Sequence, residues 1–291
     1  MPIQIVFDGD FAAGGRVSMR TLPHTYFGMQ KALERSYMDI TRQGLTKGER
    51  ITDIERQATE FYLERYEEAC FISDFREKFP ELSRTIDRLS RALRDPYQLA
   101  IENADVQQSR ILDAAMDRRG VINPSVQTYA DALQNAEIYT PRQQGDKSIN
   151  NYINESLLPL KKNSGHNSIK YTLIGNVSNE FYFDLGISNR FTRAISGKEL
   201  GPELIYESYV LKMDGKNQKG VIKHVVNNKE ANIYFIEASD YNVVNAFNEL
   251  DEAGNPVKAM RFIGYAVREL GKLDLACGDV IFRRLLNTDH E

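Results

Sequence analysis

The stretch Tyr171-Thr172-Leu173-Ile174-Gly175-Asn176-Val177-Ser178-Asn179-Glu180-Phe181-Tyr182-Phe183-Asp184-Leu185 decides the reading of the fold. Tyr171–Ile174 and Phe181–Leu185 are rich in β-branched and aromatic residues, and Gly175-Asn176 and Ser178-Asn179 lie between them. That is the composition of a β-hairpin with its turn. The apolar run Ile3–Phe7 reads as a further strand, closed by Asp8-Gly9-Asp10 and a turn-rich loop. The hairpin and this strand are expected to share one sheet backed by long helices, an α+β arrangement.

The helices are read from apolar spacing. Thr21 as N-cap and Pro23 in the first turn predict a helix start, followed by Tyr26, Gln30, Leu33, Tyr37 and Ile40 on one face, widened by Phe27 and Met38. That helix is expected to end near Gly44. Phe61-Tyr62-Leu63 and Cys70-Phe71-Ile72 suggest a hairpin over 58–75, although the same segment has enough Glu and Arg to be helical. From Phe79 the pattern is helical, with Leu82, Ile86, Leu89 and Leu93 aligned. Asp95-Pro96 is expected to break or kink this helix, because proline lacks a donor and clashes with the preceding turn. A second helix over Tyr97, Ile101, Ala104, Ile111, Leu112 and Ala115 then runs to Gly120. Residues 121–165 read as a loop-rich connection with short helices around Ala130–Leu133 and Ile149–Leu158.

Ile195–Pro202 reads as a boundary, giving an α+β part over 1–200 and a small β-rich part over 203–286. In the latter, strands are expected over Leu204–Met213, Val221–Val226 and Ala231–Glu237. A helix capped by Asp240 and running to Leu250 follows, then Val257–Val267, a turn at Gly271 and Leu273–Phe282. That order fits a strongly curved sheet or small barrel.

Composition narrows the function. The chain has 291 residues, 42% of them hydrophobic and 27% charged, with a formal net charge of −4. These are ordinary globular values, and the mild acidity disfavours a protein that coats nucleic acid while leaving room for a local basic patch. The two cysteines, Cys70 and Cys277, form no CxxC pair, so a structural zinc site is not expected and a reducing cytoplasm is. The first residues lack the basic and apolar regions of a secretion signal, and no run approaches the roughly 18 apolar residues of a membrane span.

Asp8 and Asp10, two apart at the end of a strand, are the sharpest chemical feature. Such a pair can hold Mg²⁺ or serve as nucleophile and general acid in phosphoryl transfer. It resembles the opening motif of haloacid-dehalogenase-type phosphatases, but Phe11 and Ala12 depart from that pattern and no later strand offers a paired-Asp motif. Asp8-Gly9-Asp10 also has good turn chemistry. Gly14-Gly15-Arg16-Val17-Ser18 lacks the lysine of a phosphate loop. Arg84, Arg88 and Arg91, with Arg94 adjacent, form a basic helix stripe that either tracks phosphates or is a solvated face partly neutralised by Glu81, Asp87 and Asp95. No two of His24, His166, His224 and His290 stand at metal-ligand spacing, and nothing local supports a nucleophile triad. Cys70, between Ala69 and Phe71, reads as buried rather than reactive. The strand aromatics, among them Phe61, Tyr62, Tyr171, Phe181, Tyr182, Phe183, Tyr234 and Phe235, suit either a core or a base-stacking surface.

The opening strand closing on Phe7-Asp8-Gly9, the long helices and the late strand Phe262-Ile263-Gly264-Tyr265-Ala266-Val267 together resemble uncharacterised bacterial two-domain proteins found in mobile-element or anti-phage defence loci. That resemblance supplies no catalytic residues. The expected function is a non-enzymatic binding or scaffolding protein, with no cofactor or resident metal. Its partner is another protein or a second copy, with residues 203–286 as the interaction module. The alternatives are nucleic-acid binding through Arg84, Arg88 and Arg91, and an Mg²⁺-dependent phosphohydrolase using Asp8 and Asp10.

Overall fold

The computed structural model describes residues 2–45, 48–67, 71–77, 82–102, 111–120, 125–135, 144–162, 165–269, 272–275 and 278–286. Strand β1 (Ile3–Gly9) leads through a 3-10 turn (Asp10–Gly15) to α1 (Leu22–Thr41) and α2 (Asp53–Ala58). Then come β2 (Phe61–Glu67), β3 (Phe71–Glu77), α3 (Leu82–Ile101), α4 (Ile111–Arg118), β4 (Gln127–Thr128) and α5 (Tyr129–Gln134). Helices α6 (Gln144–Ser156) and α7 (Leu158–Lys162) precede β5 (Asn167–Ile174), β6 (Ser178–Asp184) and α8 (Leu185–Ser196). The chain closes with β7 (Lys198–Asp214), β8 (Lys219–His224), β9 (Glu230–Tyr234), α9 (Ala238–Asn245), β10 (Ala259–Glu269), β11 (Lys272–Leu273) and β12 (Val280–Leu285). Cys70, the start of the helical pattern at Phe79, the Gly271 turn and Cys277 lie outside the described residues.

The chain forms two compact units, Met1–Val106 with Gln143–Ser196, and Gln107–Arg142 with Gly197–Glu291. Among the described residues, α4, β4 and α5 pack or pair with the C-terminal strands.

The first unit holds an antiparallel sheet in the order β2-β3-β1-β5-β6. Alternation puts Ile3, Ile5 and Phe7 of β1, Ile169, Tyr171 and Leu173 of β5, and Phe181 and Phe183 of β6 on the buried side. Ile86, Leu89 and Leu93 of α3, Ile149 and Ile153 of α6, and Phe191 of α8 join them in one core. The hairpin and the strand expected at residues 3–7 do share this sheet, and β2 and β3 pair antiparallel as strands rather than forming a helix.

Two helix expectations are corrected. The buried residues of α1 are Thr25, Gly28, Met29, Ala32, Leu33, Glu34, Ser36, Met38 and Asp39: Leu33 and Met38 of the expected stripe are among them, its aromatics are not, and Phe27 is 58% exposed. Small residues prevail there because α6 comes close: a Cβ on Gly28 would stand 2.7 Å from the Tyr152 carbonyl oxygen. Thr21 precedes α1 without a side-chain cap bond. Helix α3 also runs unbroken through Pro96 to Ile101. Proline deprives the Ala92 carbonyl of its helical donor, and the buried Asn150 side-chain amide supplies one at 3.0 Å from α6. A tertiary hydrogen bond thus replaces the lost one.

In the second unit the strand order is β11-β10-β12-β9-β8-β7-β4. β10 also pairs along β7 from Ala259↔Tyr209 to Glu269↔Lys198, so the pairings β7–β8–β9–β12–β10 return to β7. The long β7 serves both neighbours, with its first part on β10 and Ser208–Asp214 on β8. Leu204, Tyr206, Val210, Ile222, Ile233, Phe262 and Phe282 form one core with Tyr129 of α5 and Val244 of α9. Ala115 of α4 packs with Tyr265, Val267 and Ile281 in a separate cluster. Asp240 does not cap α9 as its first residue: Glu237 is the N-cap, Asp240 closes a capping box with it, and the helix ends at Asn245.

Candidate anion-binding groove

A groove of about 510 Å³ lies in the first unit between the end of α1, one face of α3 and the β5–β6 turn. Helix α3 contributes Arg84, Asp87, Ser90, Arg91 and Arg94; α1 contributes Ile40; the turn contributes Asn176 and Val177, and the start of β6 contributes Asn179. Residues 84, 87, 91 and 94 follow spacings of three, four and three, which keeps them on one helix stripe. With a rise of 1.5 Å per residue, Arg84 and Arg91 are about 10.5 Å apart along the axis and Arg94 about 4.5 Å further.

The three arginines of this groove are exposed, and none has a hydrogen bond or ion pair among the described residues. The acid among them, Asp87, is occupied. It accepts the Asn176 backbone N–H at 2.9 Å on Oδ1 and the Asn176 side-chain amide on Oδ2. This double acceptance fixes the hairpin turn against α3. The fit is close: a Cβ on Gly175 would stand 2.1 Å from Asp87 Oδ1 and 2.8 Å from the Ser83 carbonyl oxygen. Val177, at the turn, is 63% exposed and offers an apolar wall beside Ile40. Ser90 is 2% exposed, and its hydroxyl finds no partner among the described residues.

Arg88 does not belong to this stripe. It is 7% exposed and turned inward. Its Nε donates to Asp39 Oδ2 at 2.6 Å, and its Nη1 stands 2.7 Å from Asp146 Oδ1. Burial works against the charge, but the carboxylates of Asp146 and Asp39 outweigh it and hold the guanidinium above its ordinary pKa. Asp39 also accepts the Leu45 N–H at 3.0 Å. Gly145 of α6 sits against that carboxylate, where a Cβ would be 2.4 Å from Oδ1. The sequence-predicted trio therefore separates: Arg84 and Arg91 line the groove, and Arg88 joins an ion triad linking α1, α3 and α6.

Asp8 and Asp10 are both exposed, and each serves its own loop. Asp8 Oδ1 accepts the Gly9 N–H at 2.8 Å, and Asp10 Oδ2 accepts the His166 N–H at 3.1 Å. Among the described residues no group of three or more His, Cys, Asp or Glu gathers where it could hold a metal ion.

In the second unit His224 is 1% exposed. Its Nδ1 lies 2.9 Å from Ser208 Oγ, and its ring stands 4.5 Å from the Tyr129 ring and 5.4 Å from that of Tyr206. Burial pushes its pKa down to about 4, so the imidazole is neutral near pH 7. Ser208 is fully buried as well, so the pair meets no substrate. Most of the strand aromatics are core: Tyr171, Phe181, Phe183 and Phe235 are buried, while Tyr62 and Tyr182 are about half exposed.

Sequence reasoning missed the contributions of Ser90, Asn176, Val177 and Asn179, and it counted Asp87 as a neutralising charge. The spacing 84, 87, 91, 94 was the available signal; the docking of the turn onto α3 is a long-range event that no local pattern carries. No helix among the described residues is long and apolar enough to cross a membrane. In comparisons with known proteins, no family model, curated protein or solved structure matches this chain.

Proposed function

We propose that this is a non-enzymatic binding protein that takes a phosphate-bearing partner, nucleic acid, along α3 in its first unit. The observation that carries this reading is the row Arg84, Arg91 and Arg94: exposed guanidiniums, without carboxylate partners among the described residues, on one concave surface. Guanidinium forks match phosphate oxygens in geometry and charge. Asp87 keeps its charge in this groove against the three arginines, which leaves the row net cationic, and its two hydrogen bonds from Asn176 hold the hairpin turn against α3. The net charge of −4 fits a local contact rather than a protein that coats nucleic acid. The returning pairings of the second unit read as a small barrel, a companion module for a protein partner.

The test is fluorescence anisotropy of a labelled oligonucleotide with the full chain at low salt. A backbone-dominated site is expected to bind in the range of about 10⁻⁴–10⁻⁶ M at physiological salt and more tightly at low salt. It should be lost in the Arg84→Ala/Arg91→Ala/Arg94→Ala variant, which removes only exposed side chains. Equal binding by that variant would remove the groove from the account.

A further inference from the structure

Arg91 and Arg94 are three residues apart on α3, neighbours on the helix surface that can share one phosphate. Arg84 is about 10.5 Å from Arg91 along the axis, too far to join them on that group. The groove thus has two cationic positions, a paired one and a single one. Between them Asp87 is engaged by Asn176, and the buried Ser90 hydroxyl, unpartnered among the described residues, lines the groove. The wall facing the helix is the apolar Val177 with Asn176 of the turn and Asn179 of β6.

Resting on the reading of this groove as a phosphate site, we infer that its occupant is a short single-stranded nucleic-acid segment. Its backbone runs along α3 from the Arg91–Arg94 pair to Arg84. The interval of about 10.5 Å is longer than one phosphate group can bridge, so the occupant carries at least two phosphates along its backbone. A mononucleotide carries its charge at one end and cannot occupy both positions. A duplex presents a convex, fully stacked cylinder. A helix that reads it must project into the major groove, whereas α3 is flanked by Ile40 on one side and the hairpin turn on the other. Unstacked bases of a single strand can lie on the apolar side chains of Ile40 and Val177. Such contacts are tolerant of sequence, as in other single-strand channels.

The experiment measures affinity of the full chain for a short oligothymidylate, for a duplex of the same length, and for the oligothymidylate in the presence of millimolar ATP. Single-strand binding about tenfold tighter than duplex binding is expected, from the apolar surface of Ile40 and Val177 that only the bases of an open strand can cover. ATP should not displace the strand. Arg84→Ala should lower the salt slope by about 0.7 while a thermal melt shows the variant folded. Displacement by ATP, equal duplex affinity, or an unchanged slope in Arg84→Ala would overturn the single-strand inference and leave a phosphate site standing. Absence of binding to any of the three at low salt would overturn both.

Discussion

Replacing Arg88 by methionine separates the structural arginine from the binding ones. Methionine keeps much of the side-chain volume and removes the charge, so the change strips two carboxylates of their cation without opening a large cavity. Asp39 suffers most: its side chain is 4% exposed and 2.6 Å from the guanidinium. Asp146, at 24%, can recover water. Leaving one buried carboxylate unpaired costs about 3–5 kcal/mol. At about 2–4 °C per kcal/mol for a unit of this size, the first unit's melting temperature should fall by roughly 6–20 °C. Circular dichroism melts and urea titrations read the loss, and Asp39→Asn in the same background should recover part of it by neutralising the stranded charge. In contrast, Arg88→Met should leave the salt slope of oligonucleotide binding unchanged at temperatures where the variant is folded. A melting temperature within a degree of the parent, or a slope reduced as in Arg84→Ala, would refute the assignment of Arg88 to the triad.

Three further expectations follow from single contacts. Asn150→Leu leaves the Ala92 carbonyl buried without its donor, a loss of about 1–2 kcal/mol in urea unfolding; the cost should shrink in a Pro96→Ala background, where residue 96 regains its N–H. Gly175→Ala drives a Cβ into Asp87 and Ser83; it should destabilise the first unit by about 1–3 kcal/mol and weaken oligonucleotide binding, with Asp87→Ala relieving part of the strain. His224 has its folded pKa lowered from 6.5 to about 4, so the unfolded chain binds the proton first. Its contribution is complete above pH 6.5 and is lost as pH falls toward 4, about 3 kcal/mol in all; urea unfolding of the second unit against pH should show this slope, and His224→Asn should flatten it.

Much of the fold was legible because its signals are local. The Gly175-Asn176 turn between aromatic strands, the apolar run Ile3–Phe7 and the short helix at 129–134 all follow from residues within a few positions of one another. What escaped depends on distant partners. Pro96 carries a strong breaking signal, overruled by an amide 54 positions later in the sequence, from Asn150. The aromatic stripe of α1 gave way to a small and polar face because α6 approaches at Gly28. Residues 121–165 read as a loop-rich connection, yet within them β4 pairs with β7 at Gln127↔Leu204 and α5 buries Tyr129. The groove was half legible. Arginine spacing placed Arg84 and Arg91 together, but Arg88 stands only 80° from the centre of that stripe or less, near enough that spacing alone assigned it outward. Asp39 and Asp146 turned it inward, and neither is its neighbour in sequence.

The most direct test of the central claim is the dependence of oligonucleotide affinity on salt for the parent chain and for Arg84→Ala/Arg91→Ala/Arg94→Ala. Two phosphate contacts on a single strand, one shared by Arg91 and Arg94 and one at Arg84, predict a slope of log K against log salt about 1.4 units steeper in the parent than in the variant. Parallel lines for the two proteins would contradict the account.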